Sequence, residues 1–412
     1  MPLKMHSRPF QLAAGLGLIL LVALFAALTF FPWSDGDQGR PSAKATGATK
    51  TFRPNTPDTV DDLVLTDTAE AFRAGAMRRV AVRDGVVQLD DARERGWPKS
   101  GQWTSPQVNG KFVFRELVPS WNVLTPTDTG ASFDVRVRDA ASGKWTDWVY
   151  MGSCGRTLTP VSRTIESGIA RVKIDELLLS TPADAYQVRA TLFNFDFDTK
   201  VTPKLRRVGV VYSGETRDPS LRAKLRPPAP ADGSWVRDLK IPFRGQGEDV
   251  NPPPLRPQIC SPTSVSMVMH HYGIDRPTVE NALAIYDPEY RLFGNWNRAV
   301  QRAGAMGLDA WIARYRTWDQ VKCEIAAGRP VIASIRFEKG TFPGALYDET
   351  DGHLLVIRGF TREGDVIVND PARKLEGNGV VYKANELGQA WFDNGGVGYV
   401  IRPPATQATA AR

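Results

Sequence analysis

Cysteine and histidine are scarce in this sequence, and their scarcity limits what the protein can be. Three cysteines and four histidines occur among 412 residues. So few thiols, in odd number, exclude a disulfide framework, and the hydrophobic content of 42% must supply the core instead. The sequence also lacks an HExxH motif, paired cysteines, a His-carboxylate cluster and a glycine-rich phosphate loop. We therefore expect no metal and no cofactor.

A concentrated run of basic residues is missing as well. The 52 Lys and Arg residues exceed the 45 Asp and Glu residues, which gives a net charge of +7. This excess is scattered, and neither an aromatic-interleaved basic run nor a nucleic-acid motif accompanies it. We expect a basic surface that favours anionic partners such as phospholipid head groups or acidic wall polymers, and no nucleic-acid partner.

An uncharged apolar segment is present near the N-terminus, from Leu12 to Phe31. As a helix it would span about 30 Å, the thickness of a bilayer core. Lys4 and Arg8 precede it, so the positive-inside rule leaves the short tail in the cytoplasm and everything after Trp33 outside. We expect an uncleaved membrane anchor. A cleaved signal that leaves a secreted protein is the alternative, although the small-residue sequence AKA lies far downstream.

A tether and a strand-rich region follow the apolar segment. Small and polar residues dominate residues 34–68, which cannot bury enough surface to fold. From about 70 to 213, apolar and polar residues alternate, as at Phe133, Val135 and Val137, and turn clusters separate these stretches. The alternation predicts half-buried strands. Because no long helical pattern intervenes, we expect an antiparallel β-sandwich of jelly-roll-like type.

A second proline-rich segment precedes a region of different character. Residues 215–234 contain LRPPAPADG, which cannot continue a sheet and predicts a linker. Helical patterns come first beyond it and strand patterns follow, an order typical of an α+β domain. We expect helices at 262–272, 295–306 and 318–327, and strands at 330–337, 353–360, 365–369 and 397–401.

Cys260 is the candidate nucleophile. It lies in PQICSPTSVSMVMHHYG, where the proline that follows fits a first helical turn, so the sulfur is expected at a helix N-terminus. Exposed backbone N–H groups and the helix dipole stabilise an anion there and lower the pKa of a thiol. Cys154, in the strand-rich region, and Cys323, in the middle of a helix, are expected to be small buried residues instead.

His353 and Asp370 are the candidate base and its orienting carboxylate. His353 opens the strand HLLVIRGF, and Asp370 closes the next strand in VIVNDP, after the short turn TREG. The start of one strand then lies beside the end of the other. Elimination supports the choice of base, because His6 lies in the predicted tail. His270 and His271 are about 15 Å along a helix from the cysteine, too far for proton transfer.

These residues and their surroundings resemble the bacteriocin-processing, double-glycine-peptidase-like family of papain-fold enzymes. Its pattern is a glutamine on the loop after an early strand, C-x-P-T-S at a helix start, G-H at one strand start and N-D-P after the next. Here these read KIPFRGQG, CSPTS, DGHLLVIRGF and VIVNDP, in order. The resemblance implies a papain-like fold in which Cys260 attacks a carbonyl, His353 shuttles the proton and Asp370 orients the imidazole.

The resemblance also implies a glutamine that donates to the oxyanion. Gln246 matches the strand-then-loop position and is favoured, whereas Gln258 is nearer in sequence and is the alternative. The backbone N–H of Cys260 is expected to be the second donor. Asn369 and Asp351 are alternative orienters, because papain-like sites also use an amide in place of a carboxylate.

The sequence therefore predicts a multidomain chain whose two folded halves fold independently. The predicted segments are residues 1–33 (cytoplasmic tail with membrane anchor or signal), 34–68 (flexible linker), 69–214 (β-sandwich), 215–234 (Pro-rich linker), 235–404 (papain-like cysteine hydrolase domain) and 405–412 (disordered tail).

The expected function is that of an extracytoplasmic cysteine hydrolase, a peptidase that acts on peptide or wall-associated substrate through a thioester. Leader cleavage is not carried over, because relatives that cleave double-glycine leaders work on the cytoplasmic side of export transporters. One alternative is a wall amidase or acyltransferase with the same Cys-His-Asp chemistry. Another is an anchored glycan- or protein-binding protein with a degenerate papain-like domain.

Tryptophans concentrated in the strand-rich region bear on the binding alternative. Stacking of sugar rings on their faces is one use, and burial in the core is the favoured one. The residues concerned are Trp97, Trp103, Trp121, Trp145 and Trp148.

Overall fold

The structure is a computed structural model that describes residues 55–90, 99–156, 164–196 and 200–404. All of these residues belong to one compact unit. No helix in these ranges is both long and apolar enough to cross a membrane. The predicted anchor at 12–31 lies outside the described residues, as do the tail at 405–412 and most of the first predicted linker.

The N-terminal domain is built from antiparallel strands, as the alternating pattern predicts. The strands are β1 (Thr59–Thr66), β2 (Ala76–Arg78), β3 (Val80–Arg83), β4 (Val86–Leu89), β5 (Ser100–Thr104), β6 (Val108–Leu124), β7 (Thr129–Asp139), β8 (Val149–Gly155), β9 (Glu166–Ser167), β10 (Ala170–Lys173), β11 (Glu176–Asn194) and β12 (Lys204–Glu215). Two short helices accompany them, α1 (Ala69–Arg73) and α2 (Pro219–Leu225).

The long strands β6 and β11 organise this domain by changing partners along their length. β11 pairs with β6, β7 and β5, and β6 pairs in turn with β12. Although β6 and β7 lie on different paths of the network, Trp121 of β6 stacks on Phe133 of β7 with ring centroids 4.1 Å apart. Strands that are not paired with each other therefore contribute side chains to one apolar core.

The first strand lies within the segment whose composition predicts a linker. β1 begins at Thr59 and pairs along its whole length with β12. Its Asp61 is buried, because Arg316 of the C-terminal domain donates two hydrogen bonds to the carboxylate at 2.7 and 2.9 Å. A partner 255 residues away leaves no trace in local composition. The prediction of a linker up to residue 68 is therefore wrong at its C-terminal end.

The second predicted linker is partly helical. Asp218 begins α2 by accepting hydrogen bonds from the backbone N–H groups of Ser220 and Leu221, at 2.9 and 3.3 Å. The proline-rich residues 226–234 contain no helix or strand, as predicted. Only this second part fits the prediction of an irregular connection.

The C-terminal domain contains five α-helices, one short 3-10 helix (Leu375–Gly377) and six strands. The helices are α3 (Cys260–His271), α4 (Thr278–Ile285), α5 (Trp296–Ala305), α6 (Trp318–Ala326) and α7 (Ala384–Phe392). The strands are β13 (Asp309–Arg314), β14 (Val331–Phe337), β15 (Thr350–Phe360), β16 (Val366–Asn369), β17 (Asn378–Tyr382) and β18 (Val397–Arg402). The predicted helices and strands are all present, whereas α4, β13, β17 and α7 are additional.

The six strands form one antiparallel sheet in the order β13-β18-β14-β15-β16-β17. Helices α3, α4 and α5 precede the sheet along the chain and α6 and α7 lie between its strands, so helices and an antiparallel sheet are combined in the predicted α+β class. All six residues of β13 are buried. Burial on both faces removes the polar-apolar alternation by which a strand is recognised in sequence.

Two side-chain amides join the domains by completing hydrogen bonds of the backbone. Asn122 of β6 donates to the carbonyl of Ala310 at 2.9 Å and accepts from its N–H at 3.0 Å. Gln301 of α5 does the converse, donating to the carbonyl of Val123 at 2.8 Å and accepting from its N–H at 2.9 Å. Gly304 leaves room for Asn122, since a Cβ there would lie 2.6 Å from the amide nitrogen.

Buried charges also cross between the domains. Arg314 of β13, with 1% of its side chain exposed, pairs with Glu116 and, at 2.5 Å, with Glu176. Val118 and Val211 of the N-terminal domain pack into the apolar core of the C-terminal domain. A shared core and shared buried charges argue against independent folding of the two halves.

Candidate active site

Cys260 occupies the first position of α3. The preceding residue, Ile259, forms the N-cap and gives the helix no side-chain hydrogen bond. The hydroxyl of Ser264 donates to the carbonyl of Leu354 at 3.0 Å and so fixes α3 against β15. The cysteine thus lies at a helix N-terminus that faces the sheet, as its sequence context predicts.

His353 and Asp370 come together through the hairpin formed by β15 and β16. The two strands are antiparallel, with Val356 opposite Asn369, so the residue after β16 lies beside the first part of β15. His353 Nε2 and Asp370 Oδ1 are 2.8 Å apart. The strand begins at Thr350, three residues earlier than predicted, without changing this contact.

The thiol of Cys260 completes the arrangement with a hydrogen bond to the His353 ring. Because Nε2 is occupied by Asp370, the nitrogen that faces the sulfur is Nδ1. The structure thus brings together three of the predicted site residues in the order thiol, imidazole and carboxylate. This order is that of a nucleophile, its base and the group that orients the base.

The charges of these three groups stabilise one another. Burial opposes ionisation of Cys260, but its hydrogen bond to His353 and the charge of the ring lower the pKa of the thiol. Burial likewise opposes protonation of His353, and the Asp370 carboxylate outweighs it, raising the pKa of the imidazole to about 10. Asp370 keeps a lowered pKa despite its burial, because His353 lies beside it. Both shifts favour a thiolate-imidazolium pair over a neutral thiol and a neutral imidazole.

The other two cysteines have opposite electrostatics. All three cysteines are free thiols. Burial raises the pKa of Cys154 to about 12, and it also raises the pKa of Cys323, with nearby Glu324 adding to the effect. Of the three thiols, only Cys260 has a lowered pKa.

The alternatives for the base and its orienter lie elsewhere. His270 and His271 are at the C-terminal end of α3, where His271 Nδ1 lies 3.3 Å from the carbonyl of Lys240. Asn369 is buried, and its amide is bound to the Arg358 guanidinium and to backbone groups. Asp351 is an exposed residue with Arg336 as its ion-pair partner at 3.5 Å. None of these groups contacts the His353 ring in the way Asp370 does.

The two candidate glutamines differ in their surroundings. Gln246 is fixed next to the site, because its backbone N–H donates to the carbonyl of Pro371 at 2.8 Å, directly after Asp370. Its side-chain Oε1 is buried without a hydrogen-bond partner. Gln258 is exposed, and its amide donates to the carbonyl of Pro254 at 3.1 Å. The backbone of Gln246 therefore lies beside the Asp370 segment, and the role of its side chain as an oxyanion donor stays a prediction.

Tyr382 and Tyr347 are site residues that the sequence did not reveal. The Tyr382 hydroxyl donates to Asp370 Oδ2 at 2.8 Å. The Tyr347 ring packs edge-on against the His353 ring, with centroids 5.0 Å apart. Tyr382 lies in the unpredicted strand β17, and Tyr347 lies in a segment without helix or strand, so neither had a motif to mark it.

The tryptophans of the N-terminal domain divide into two groups. Trp103 and Trp121 are buried in the core, the favoured interpretation of their sequence. Trp145 and Trp148 are half-buried, and Arg136 lies over both rings, at 4.9 and 4.8 Å from their centroids. Trp97 lies outside the described residues. Glycan contact therefore stays a prediction.

No group of three or more His, Cys, Asp or Glu residues in the described part of the chain is placed to hold a metal ion.

Family models match both halves of the chain. Residues 238–399 match the peptidase C39-like family, and residues 62–213 match the peptidase C39 N-terminal domain. The C-terminal domain is therefore similar to the peptidase C39-like family, which confirms the resemblance carried by the CSPTS, GH and NDP motifs.

Solved structures similar to this chain include three peptidases. A double glycine motif protease from an AMS/PCAT transporter, solved with its leader peptide, is 19% identical over 43% of this chain and 98% of that chain, with a TM-score of 0.28. A putative C39-like peptidase from Bacillus anthracis is 16% identical over 40% and 96%, with a TM-score of 0.31. The peptidase domain of Streptococcus ComA is 13% identical over 36% and 93%, with a TM-score of 0.25. A search of the curated proteins found no match.

Proposed function

We propose that this protein is a cysteine peptidase whose reaction passes through a thioester on Cys260. The observation that carries the proposal is the hydrogen-bonded series from Cys260 through His353 to Asp370, at the start of a helix in a C39-like domain. The intact arrangement of thiol, base and orienting carboxylate, with a lowered pKa at Cys260 and a raised pKa at His353, argues against a degenerate domain.

The reaction begins when the Cys260 thiolate attacks the carbonyl carbon of the substrate. The C–S bond forms, the carbonyl electrons move to oxygen, and the resulting oxyanion accepts hydrogen bonds from the Cys260 backbone N–H and the Gln246 side-chain amide. When the oxyanion collapses, the C–N bond breaks and His353 gives its proton to the leaving amine. A thioester on Cys260 remains.

Hydrolysis of the thioester restores the enzyme. His353, now neutral, takes a proton from water as the water attacks the acyl carbon, and the C–S bond breaks with release of the thiolate. The acid product leaves, and the thiolate-imidazolium pair is formed again. Asp370 stays ionised throughout and keeps Nδ1 of the ring turned towards the sulfur.

The location we propose is the outer face of the cytoplasmic membrane, with the segment from Leu12 to Phe31 as the anchor. The support is the sequence alone, through the length of the apolar segment and the basic residues before it. N-terminal sequencing of the exported protein tests this. A mature protein that starts near Thr46 would show instead that the segment is a cleaved signal.

Peptides or wall-associated substrates outside the cell are the substrate class we propose. The full chain is to be incubated with a quenched peptide library and with cell-wall fragments, with Cys260→Ala as the inactive reference. Hydrolysis of peptides that is lost in this variant supports a peptidase. Cleavage confined to wall amide bonds, or acyl transfer without hydrolysis, would favour the amidase or acyltransferase alternative. No turnover, with Cys260 no more reactive than Cys154 and Cys323, would favour the binding protein.

A further inference from the structure

The Asp370 carboxylate has donors on both of its oxygens. Oδ1 accepts from the His353 ring at 2.8 Å and from the backbone N–H of Ala372 at 3.0 Å. Oδ2 accepts from the hydroxyl of Tyr382 at 2.8 Å. The side chain of Asp370 is fully buried, so no solvent molecule at the surface can replace a missing donor. Tyr382 is a side-chain donor on Oδ2, and the hydroxyl of Tyr347 also interacts with this carboxylate.

A carboxylate orients an imidazole only if the carboxylate itself cannot turn. The His353 ring and the backbone N–H of Ala372 hold Oδ1, and the Tyr382 hydroxyl holds Oδ2 against rotation about the Cβ–Cγ bond. A donor at 2.8 Å on that oxygen fixes the carboxylate plane and directs Oδ1 at His353. A buried oxygen without a donor would instead seek another partner by rotating.

Tyr382 is placed firmly enough to have this effect. Its side chain is 1% exposed, and its ring packs edge-on against Phe342 with centroids 4.9 Å apart. Strand β17, which carries it, pairs with β16, the strand that ends at Asp370. Burial, and then the negative charge of Asp370, raise the pKa of Tyr382 well above its usual value, so the hydroxyl remains a donor across the neutral range.

We propose that Tyr382 is a positioning residue of this site, whose hydroxyl holds Asp370 in the orientation that stabilises the imidazolium of His353. The inference rests on the proposed function for its importance in turnover. Its physical content, the control of the thiolate-imidazolium pair through Asp370, can be measured without any substrate.

The test uses Tyr382→Phe in the full chain, because this change removes only the hydroxyl and keeps the packed ring. The rate of Cys260 alkylation by iodoacetamide is followed against pH by mass spectrometry. Loss of orientation makes the protonated His353 ring less stable, and the Cys260 thiolate is then stabilised less. The pH at the midpoint of the acid limb of the alkylation profile should therefore rise by about 0.5–1 unit, so that alkylation below the midpoint is roughly 3–10-fold slower. A midpoint equal to or below that of the unchanged protein would overturn the proposal.

Tyr315→Phe is the matched control. Tyr315 is a buried tyrosine of the same domain, and its ring packs against Trp391 rather than against the site. Its alkylation profile should coincide with that of the unchanged protein. If both tyrosine variants shift the profile equally, the effect comes from general loosening of the domain, and the proposal fails.

A double-variant cycle separates a positioning role from a merely structural one. If Tyr382 acts through Asp370, adding Tyr382→Phe to Asp370→Asn should change the alkylation midpoint by less than about 0.2 pH unit. Additive shifts would overturn the proposal. Absence of peptide hydrolysis with a normal alkylation profile would contradict the proposed function alone, so the two failures are distinguishable.

Discussion

Asp370 of the C-terminal domain and Glu176 of the N-terminal domain are both buried acidic residues, and their pKa values are shifted in opposite directions. Asp370 keeps a lowered pKa because it has His353 beside it and donors on both oxygens. Burial raises the pKa of Glu176 to about 7, and the negative charge of Glu116 adds to the rise, which outweighs the opposing effect of Arg314. Burial alone therefore does not decide the charge of a carboxyl group, and the supply of donors does. Glu176 shares Arg314 with Glu116, whereas Asp370 has a donor on each of its oxygens.

Removal of either member of the nucleophile-base pair should have the largest effect. Cys260→Ala and His353→Ala are each expected to lower kcat by at least roughly 10⁴, because either change removes the covalent pathway. The double variant should be hardly worse than either single one. Steady-state kinetics with the best peptide substrate measures these losses.

Changes in the N-terminal half sharpen the comparison with the site. Cys154→Ser should leave kcat and Cys260 alkylation within about twofold, because Cys154 lies outside the hydrogen-bonded series. A loss comparable to that of Cys260→Ala would show that the reaction centre is not confined to the C-terminal domain.

Removal of Arg314, the cation that Glu116 and Glu176 share, should have the next largest effect, which is on stability. Arg314→Met leaves Glu116 and Glu176 buried without their partner, and it is expected to lower the free energy of unfolding by about 3–5 kcal/mol. Urea unfolding followed by tryptophan fluorescence measures this loss. We expect one transition for both domains in the unchanged protein.

The control for this change is Arg336→Met, which breaks the exposed pair with Asp351. An exposed ion pair contributes about 0–1 kcal/mol, so this variant should unfold almost as the unchanged protein does. Two separate transitions in the unchanged protein, with only one of them moved by Arg314→Met, would restore the prediction of independent halves.

Kinetics can decide whether Gln246 or Gln258 donates to the oxyanion, and the expected loss of rate is smaller than the loss on removal of Cys260 or His353. Gln246→Ala should lower kcat roughly 10²–10³-fold with little change in KM, because an oxyanion donor acts mainly in the transition state. Gln258→Ala should change kcat by less than about threefold, since its side chain is exposed and bound to Pro254. The reverse order would assign the oxyanion to Gln258.

The smallest expected effect is on the pH dependence of stability. The folded pKa of Glu176 lies above its unfolded value of about 4.5, so the folded state binds more protons between these values. Stability should therefore fall as pH rises from about 4.5 to 7. Glu176→Gln should remove part of this decline, a difference on the order of 1–3 kcal/mol between urea unfolding at pH 4.5 and pH 7.5.

Two other buried groups, His353 and Asp370, also make stability depend on pH, but in other pH ranges. The raised pKa of His353 contributes stability that is present below pH 6.5 and lost as pH rises through about 10. The lowered pKa of Asp370 contributes stability that is present above pH 3.8 and lost as pH falls further. Both slopes lie largely outside the range in which Glu176 titrates. A Glu176→Gln variant with an undiminished decline would mean that another group, such as Asp175, causes it.

The residues that sequence analysis located correctly are those fixed by short stretches of chain. Cys260 was found from a helix start, and the contact between His353 and Asp370 from two strands and one turn. Tyr382 was missed because β17 is short and offers no motif. Contacts across the domain joint, such as Asp61 with Arg316, could not be predicted, because they join residues far apart in sequence and satisfy charges that look exposed.

The amide exchange between the domains has a consequence for how such proteins recombine. Asn122 requires the backbone of Ala310 and the empty space at Gly304, and Gln301 requires the backbone of Val123. A chimaera that joins this C-terminal domain to the N-terminal domain of a relative would lose these hydrogen bonds unless the relative has the same residues at the corresponding positions. A crossover in the proline-rich residues 226–234 would therefore keep each domain whole but break the hydrogen bonds between the domains. We expect the two domains to be inherited together.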